Sequence, residues 1–493
     1  MVQSNEVDPS ESKSKSVAGA GALSTAARVT SQLSQFAIFI LAARILTPAD
    51  FGIFALVSAA AIILYRISQA GWPEFIMSWK GDERVVSQVF YVACGSALIA
   101  FGIGVLLAVL AAWLFTSDIL FLGLLFAAWV PISVVSAVYH GIMVRQDKLI
   151  PATVTLLLGE FAGLVITVWT LLSGYGLFAL AIGRIAQQVI HLLAGMVFTK
   201  ARPRRGIERT VLNELLGYYW QLVSSRFLVN VSSNFVTYII GAFLGAAAVG
   251  YFRAAIRLAS ALLEVIGEST RLLSWAVFGR ATRDASDVHA AIRDAANTFY
   301  PVLYAISVPL FLALAIVAED VTIGLLGDQW APAAYLVAIL AFSQFLTIPA
   351  FVTETLLSMT GAVSRLPMAL LIVAITSVVL TLVAAPFGVV AVALSQVALQ
   401  AVFFATHFWL QSRYGGVSLS AIARGSWKAT VLALGLAAVL YLVDRSGFAG
   451  GLHPLLRAVL LCSAFGLVYL AALYVLVPKI GRVMLDPLRR RRV

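Results

Sequence analysis

Charge is what this chain has least of. Among its 493 residues only 12% are Asp, Glu, Lys or Arg, while 61% are hydrophobic; soluble proteins average roughly 25% charged. That shortage excludes a water-soluble globular domain and a disordered polar protein. Cysteine is nearly missing: Cys94 and Cys462 are the two present, each inside an apolar run. No disulfide framework or metal cluster can be built from them, and both read as small buried hydrophobes. No G-x-x-x-x-G-K stretch occurs, which excludes a chain that hydrolyses ATP through its own P-loop. No His, Cys and carboxylate residues stand at metal-ligand spacing, so no cofactor is expected. Acidic residues are scarcer than basic ones, 23 against 34, leaving a net charge of +11. In so apolar a chain, that excess marks cytoplasmic loops and not nucleic-acid binding.

What the chain has in quantity is apolar runs of about 20 residues, the length needed to cross a bilayer as a helix. Helices satisfy their own backbone in lipid, whereas a barrel would need short alternating segments. The expected fold is all-α, a polytopic membrane protein of about fourteen helices. The spans fall near 24–46, 50–70, 85–115, 118–142, 149–172 and 176–199; then 212–244, 248–275, 291–317, 333–359, 366–386 and 388–411; then 427–443 and 455–477. They divide the chain into a disordered cytoplasmic tail over 1–23, which is not a cleavable signal, and an N-terminal six-helix lobe over 24–199. A basic cytoplasmic linker follows over 200–211, then a C-terminal six-helix lobe over 212–412. An extra helix pair occupies 426–478, and a basic tail 479–493, with its arginines on anionic lipid. Lys80, Arg84, Arg145, Lys148, Lys200, Arg280, Arg283, Arg365, Arg413 and Arg424 fall on one set of loops. Asp50, Asp118, Glu319, Asp320 and Asp328 fall on the other. By the positive-inside rule both termini are cytoplasmic. The outer loops are short Gly/Pro turns, too small for an extracytoplasmic domain.

A shift of 198 residues carries Arg28 onto Arg226, Ser34 onto Ser232, Leu46 onto Leu244, Gly52 onto Gly250 and Phe54 onto Phe252, with Gln32 falling on Asn230. The two lobes therefore read as pseudo-symmetric halves, each opened by a helix with a basic and polar stripe. Arg28, Gln32 and Gln35, with Ser31 beside them, share one helical face, as do Arg226, Asn230, Ser233 and Thr237. The span near 248–275 is the most charged. Arg253, Arg257, Ser260, Glu264, Glu268 and Arg271 recur every three to four residues, and five charges facing lipid are prohibitive. They form either a wet cationic wall or a self-neutralising ladder. Arg66 lies at the matching place in the second span. These arginines, in excess over Glu264 and Glu268, suit an anionic, hydroxyl-rich ligand, because guanidinium forks grip phosphate at two points. Glu160 is expected to pair with Arg184 across neighbouring helices. Glu354 lies near an inner end. His407 reads as a hydrogen-bonded packing residue, and Gly241 with Gly245 as a small-residue packing pair.

Leu41-Ala42-Ala43-Arg44-Ile45-Leu46-Thr47-Pro48-Ala49-Asp50-Phe51-Gly52 resembles the stretch that opens bacterial polysaccharide flippases, the O-antigen and exopolysaccharide exporters of the multidrug/oligosaccharidyl-lipid/polysaccharide superfamily. The resemblance implies two six-helix lobes, a central cavity and alternating access, with no enzymatic step. It implies a substrate of undecaprenyl-diphosphate-linked oligosaccharide moved across the bacterial inner membrane, with the polysaccharide polymerase and export machinery as partners beside membrane lipids. On that reading Arg28, Gln32, Arg66, Arg226, Asn230, Arg253, Arg257 and Arg271 bind substrate. Glu160, Glu264, Glu268 or Glu354 couples transport to H+ or Na+. A lipid II flippase or drug/cation antiporter of the same superfamily remains open, as does a membrane-embedded polymerase or ligase. The last of these would need the outer loop that is missing here.

Overall fold

A computed structural model describes the backbone of residues 9–482 apart from 70, 115–116, 202–205 and 207, and the side chains of these except 9–26, 83, 114, 117–118 and 221–233. All the regular elements among the described residues are helices. Twelve of them are long and apolar enough to cross a membrane, so this is a multi-pass membrane protein. The chain divides into two compact units, Met1–Asn234 and Phe235–Val493.

The first unit holds α1 (Pro9–Ile45), α2 (Pro48–Gln69), the short α3 (Trp72–Ser78), α4 (Glu83–Leu114), α5 (Ser117–Arg145), α6 (Leu149–Leu172), α7 (Phe178–Thr199) and the start of α8 (Arg209–Thr282). Helix α1 begins upstream of the span expected from position 24. Between α1 and α2 the Thr47 hydroxyl and the Asp50 carboxylate exchange hydrogen bonds with each other's backbone N–H, at 3.2 Å each. This capping box explains why an apolar run stops and restarts at Thr47-Pro48. Helix α3 was not anticipated. Trp72 secures it, donating to the Ser68 carbonyl (2.6 Å) and stacking on Tyr219 at 5.0 Å. At one end of this unit Lys148 donates to the Phe198 carbonyl and Arg145 to that of Ile76, gathering the basic connections after α3, α5 and α7.

In the second unit α8 continues as one helix by hydrogen bonding, but Gly245 interrupts it at φ 83°, ψ 174°. That backbone is open to glycine and costly for other residues. Nothing packs against its Cα face, so Gly245 is a turn and not the close-packing residue expected from its pairing with Gly241. Then follow α9 (Val288–Ile316), α10 (Ala318–Leu326), α11 (Ala331–Ser343), α12 (Ala350–Met359), α13 (Leu366–Ala384), α14 (Val389–Gly415), α15 (Leu419–Arg445) and α16 (Pro454–Leu476). The single span expected over 333–359 is two helices, α11 and α12, separated by a 3-10 turn at Gln344–Thr347. The C-terminal pair α15–α16 shares its core with α9: Ala305, Val308 and Leu312 pack with Ala433, Leu461 and Phe465, and Tyr469 donates to the Ala305 carbonyl at 2.9 Å. Arg457 of α16 fastens the far end, with ion pairs to Asp320 (2.7 Å) and Asp444 (2.8 Å).

Candidate functional site

In the first unit the polar faces of three helices meet at Glu160, midway along α6. Its Oε1 accepts hydrogen bonds from Ser31 Oγ (2.8 Å) and Gln35 Nε2 (3.4 Å) of α1 and from Gln187 Nε2 of α7 (2.6 Å). Gln35 also donates to Ser31 at 3.1 Å. Close approach of α6 and α7 makes this possible. A Cβ on Gly159 would come within 2.8 Å of the Gln187 carbonyl oxygen, one on Gly163 within 2.9 Å of the Gln187 Cβ. Two glycines one turn apart thus set the reach of the Gln187 amide. The described α7 partner of Glu160 is this glutamine, one turn from the Arg184 expected there. A carboxylate among one hydroxyl and two amides has partners for either charge state. It can take a proton as a neutral acid, or hold a small cation together with the neighbouring oxygens.

Arg28 and Gln32 lie on the same helix as Ser31 and Gln35 but are exposed. Arg66 is exposed as well, its guanidinium 5.8 Å from the Tyr65 ring centre. Counting the rise of an α-helix from the Thr47 turn, Arg28 and Arg66 stand at equal depths, about 28 Å away. Arg226 and Asn230 fall among the side chains outside the described residues.

The second unit carries the charged side of α8. Arg253 is half-buried, some 12 Å of helix past Gly245, with the Tyr238 hydroxyl as its electrostatic neighbour. Arg257 pairs with Glu264 (Nη1–Oε1 3.0 Å) and Arg271 with Glu268 (Nη1–Oε2 3.1 Å). Arg271 also lies 5.9 Å from the centre of the Phe351 ring, and Gly267 lets that ring rest against α8. Of the two arrangements left open by the sequence, the ladder describes Arg257 to Arg271. Among the described residues Arg253 has no carboxylate partner. Glu354 of α12 is exposed. His407 is hydrogen-bonded as expected, to Thr353 Oγ1 at 3.0 Å.

Sequence reasoning missed Tyr238 as the neighbour of Arg253, because the Gly245 interruption separates them and breaks helical periodicity. It marked Ser31, Gln35 and Gln187 as polar but not as one cluster. No local spacing links positions 129 and 125 residues apart, as Ser31 and Gln35 are from Glu160.

Comparison with known proteins adds a family and a fold. The family model described as "Polysaccharide biosynthesis protein" matches residues 40–335, more than half of the chain. The succinoglycan biosynthesis transport protein ExoT of Rhizobium meliloti (strain 1021) is 24% identical over 314 residues, which is 62% of this chain and 62% of that protein. The match thus spans less than two thirds of that relative's length. Among solved structures, a lipid II flippase, MurJ, in an inward closed conformation superimposes with a TM-score of 0.69 at 13% identity, covering 92% of this chain and 98% of its own. An inward-facing multidrug resistance MATE family transporter of the MOP superfamily gives a TM-score of 0.57 at 17% identity, covering 80% of this chain and 96% of its own. At such identities the likeness is one of fold.

Proposed function

The chain belongs to the polysaccharide biosynthesis protein family, and from that premise we propose that it is a flippase for undecaprenyl-diphosphate-linked oligosaccharide repeat units, serving exopolysaccharide or O-antigen synthesis. It works in the bacterial inner membrane with both termini cytoplasmic. The observation that carries this reading is the unanswered charge of Arg253. A half-buried guanidinium deep in a span, without a carboxylate partner among the described residues, is costly unless a ligand supplies the anion. The diphosphate of the lipid carrier is such an anion, with oxygens spaced for a two-point arginine grip. Arg257 and Arg271 of the same unit serve the same ligand. Arg257 and Arg271 release Glu264 and Glu268 as phosphate arrives. The oligosaccharide travels with the diphosphate, while the prenyl chain stays in lipid. Alternating exposure of the arginines to the two sides of the membrane carries the headgroup across. Glu160 is the coupling acid for H+ or Na+. Glu264 and Glu268 are engaged by arginines of their own helix, which leaves them less suited to that role, and Glu354 stands apart from any described polar cluster.

The test is Arg253→Ala in vesicles carrying a fluorescent lipid-linked oligosaccharide, with leaflet exchange as the readout. Losing one charged partner of a bound phosphate costs about 2–5 kcal/mol, so flipping falls at least about tenfold, with protein abundance and size-exclusion profile unchanged. Wild-type exchange by that variant would defeat the arginine assignment. The same vesicles loaded with lipid II separate the two lipid-linked substrates.

A further inference from the structure

Below Glu160 the first unit holds a pair of histidines that the transport reading has not used. His191 of α7 is buried, 8% exposed, with Nδ1 2.9 Å from Ser136 Oγ of α5. Its Nε2 is buried without a hydrogen-bond partner among the described residues, and so is Nδ1 of His140 on α5. The two rings meet edge to face, centres 5.8 Å apart and planes inclined at 63°. Two imidazole nitrogens buried beside each other without a described partner each forgo a hydrogen bond, which is costly in an interior. One proton held between the two imidazoles through a bridging water gives both a partner.

The pair also lies on a line. His140 is partly exposed and five residues short of the end of α5, at the basic end where Arg145 and Lys148 make their bonds. His191 is one helical turn from Gln187, the donor to Glu160, a rise of about 6 Å along α7. Its Cβ lies against Gly159, the residue before Glu160. Tyr139 adjoins His140 on α5, with Cys94 of α4 as its electrostatic neighbour, and Glu160 is the residue after Gly159 on α6.

We propose that His140 and His191 form a proton-binding site, connecting the basic end of the first unit to the Glu160 carboxylate. The proton enters at His140, is shared with His191 Nε2 and passes to Glu160. Both imidazoles are left neutral and the carboxylate becomes a neutral acid. The second unit provides an internal contrast. His407 has the same local bonding, Nδ1 on a hydroxyl and Nε2 buried without a described partner. Its ring instead rests on Phe403, centres 4.3 Å apart, and no second histidine faces it among the described residues.

The site is tested in the full-length protein by NMR of 15N-labelled histidines, of which the chain has five. His140 and His191 are expected to take up one proton together, and His140→Gln to abolish the titration of His191, with the converse for His191→Gln. An unaltered titration of either histidine after loss of the other, or no titration of the wild-type pair, overturns the site. The transport arm rests on the flippase reading. Its measure is the ratio of lipid exchange with and without a pH gradient, about tenfold per unit of gradient for one coupled proton. That ratio collapses toward one in His140→Gln and His191→Gln and persists in His407→Gln. Retention by the first two, or equal loss in the third, refutes the relay. If the wild-type protein exchanges no lipid, the flippase reading fails and the NMR titration alone decides the proton site.

Discussion

Gly183 decides how near α7 comes to α6. A Cβ there would land on the Thr167 hydroxyl, which itself donates to the Gly163 carbonyl at 2.6 Å. Gly183→Ala therefore has to push the helices apart, and overpacking of this kind costs about 1–3 kcal/mol. The midpoint of thermal unfolding in detergent should fall, and adding Thr167→Ala should recover only part of the loss, because the Thr167 Cβ and the Gly163 carbonyl oxygen would still lie 2.9 and 3.1 Å from the new methyl. Gln187 lies one turn beyond Gly183, so the single variant should also weaken the hydrogen bond to Glu160, and the double variant should do so less. At this scale the sequence was informative about which residues are polar and silent about which ones meet. Ser31, Gln35, Glu160 and Gln187 each break an apolar run, and helical spacing places each on a face. The facing of three helices depends on glycine contacts made in space, and no periodicity along one helix contains them.

Two breaks in helical runs stand 198 residues apart, at Thr47 and Gly245, and they solve one problem by different chemistry. The first stops the helix with a proline and a capping box, the second with a backbone conformation reserved for glycine. Gly245→Ala should therefore cost about 1–3 kcal/mol from backbone strain, and Thr47→Ala about 1 kcal/mol from the lost cap. Both are measurable as shifts of the unfolding midpoint. Both breaks were legible because a shift of 198 residues aligned polar and small residues on both sides of each one. The interruption between α11 and α12 was not. It falls inside a continuous apolar run in which hydropathy is the same for a straight helix and for two short ones joined by a 3-10 turn. Helix α3 escaped for the related reason that seven residues carry no usable period, and its position is fixed by Trp72 stacking on a tyrosine far along the chain.

Orientation and the number of crossings are properties of the whole chain, and one labelling experiment tests both. Basic residues gather on the connections after α3, α5, α7 and α14, while Glu319, Asp320 and Asp328 lie at the opposite ends of their helices. With Cys94 and Cys462 replaced by Ala, single cysteines at the exposed positions Tyr175 and Gln329 should react with a membrane-impermeant maleimide in intact spheroplasts. Cysteines at the exposed Lys80 and Arg424 should react only after lysis. The pair Tyr175 and Gln329 is the critical one. Between them lie α7, α8, α9 and the short α10, whose 9 residues are too few to cross. If α8 crosses twice, turning at Gly245, the number of crossings is even and both sites label from the same side. If α8 crosses once, the number is odd and they label from opposite sides. Labelling of both from outside therefore supports Gly245 as an outer turn matching Thr47, and with it the fourteen-helix arrangement. Opposite labelling removes the equivalence of the two breaks and moves the arginines of α8 to different depths from those of α1 and α2.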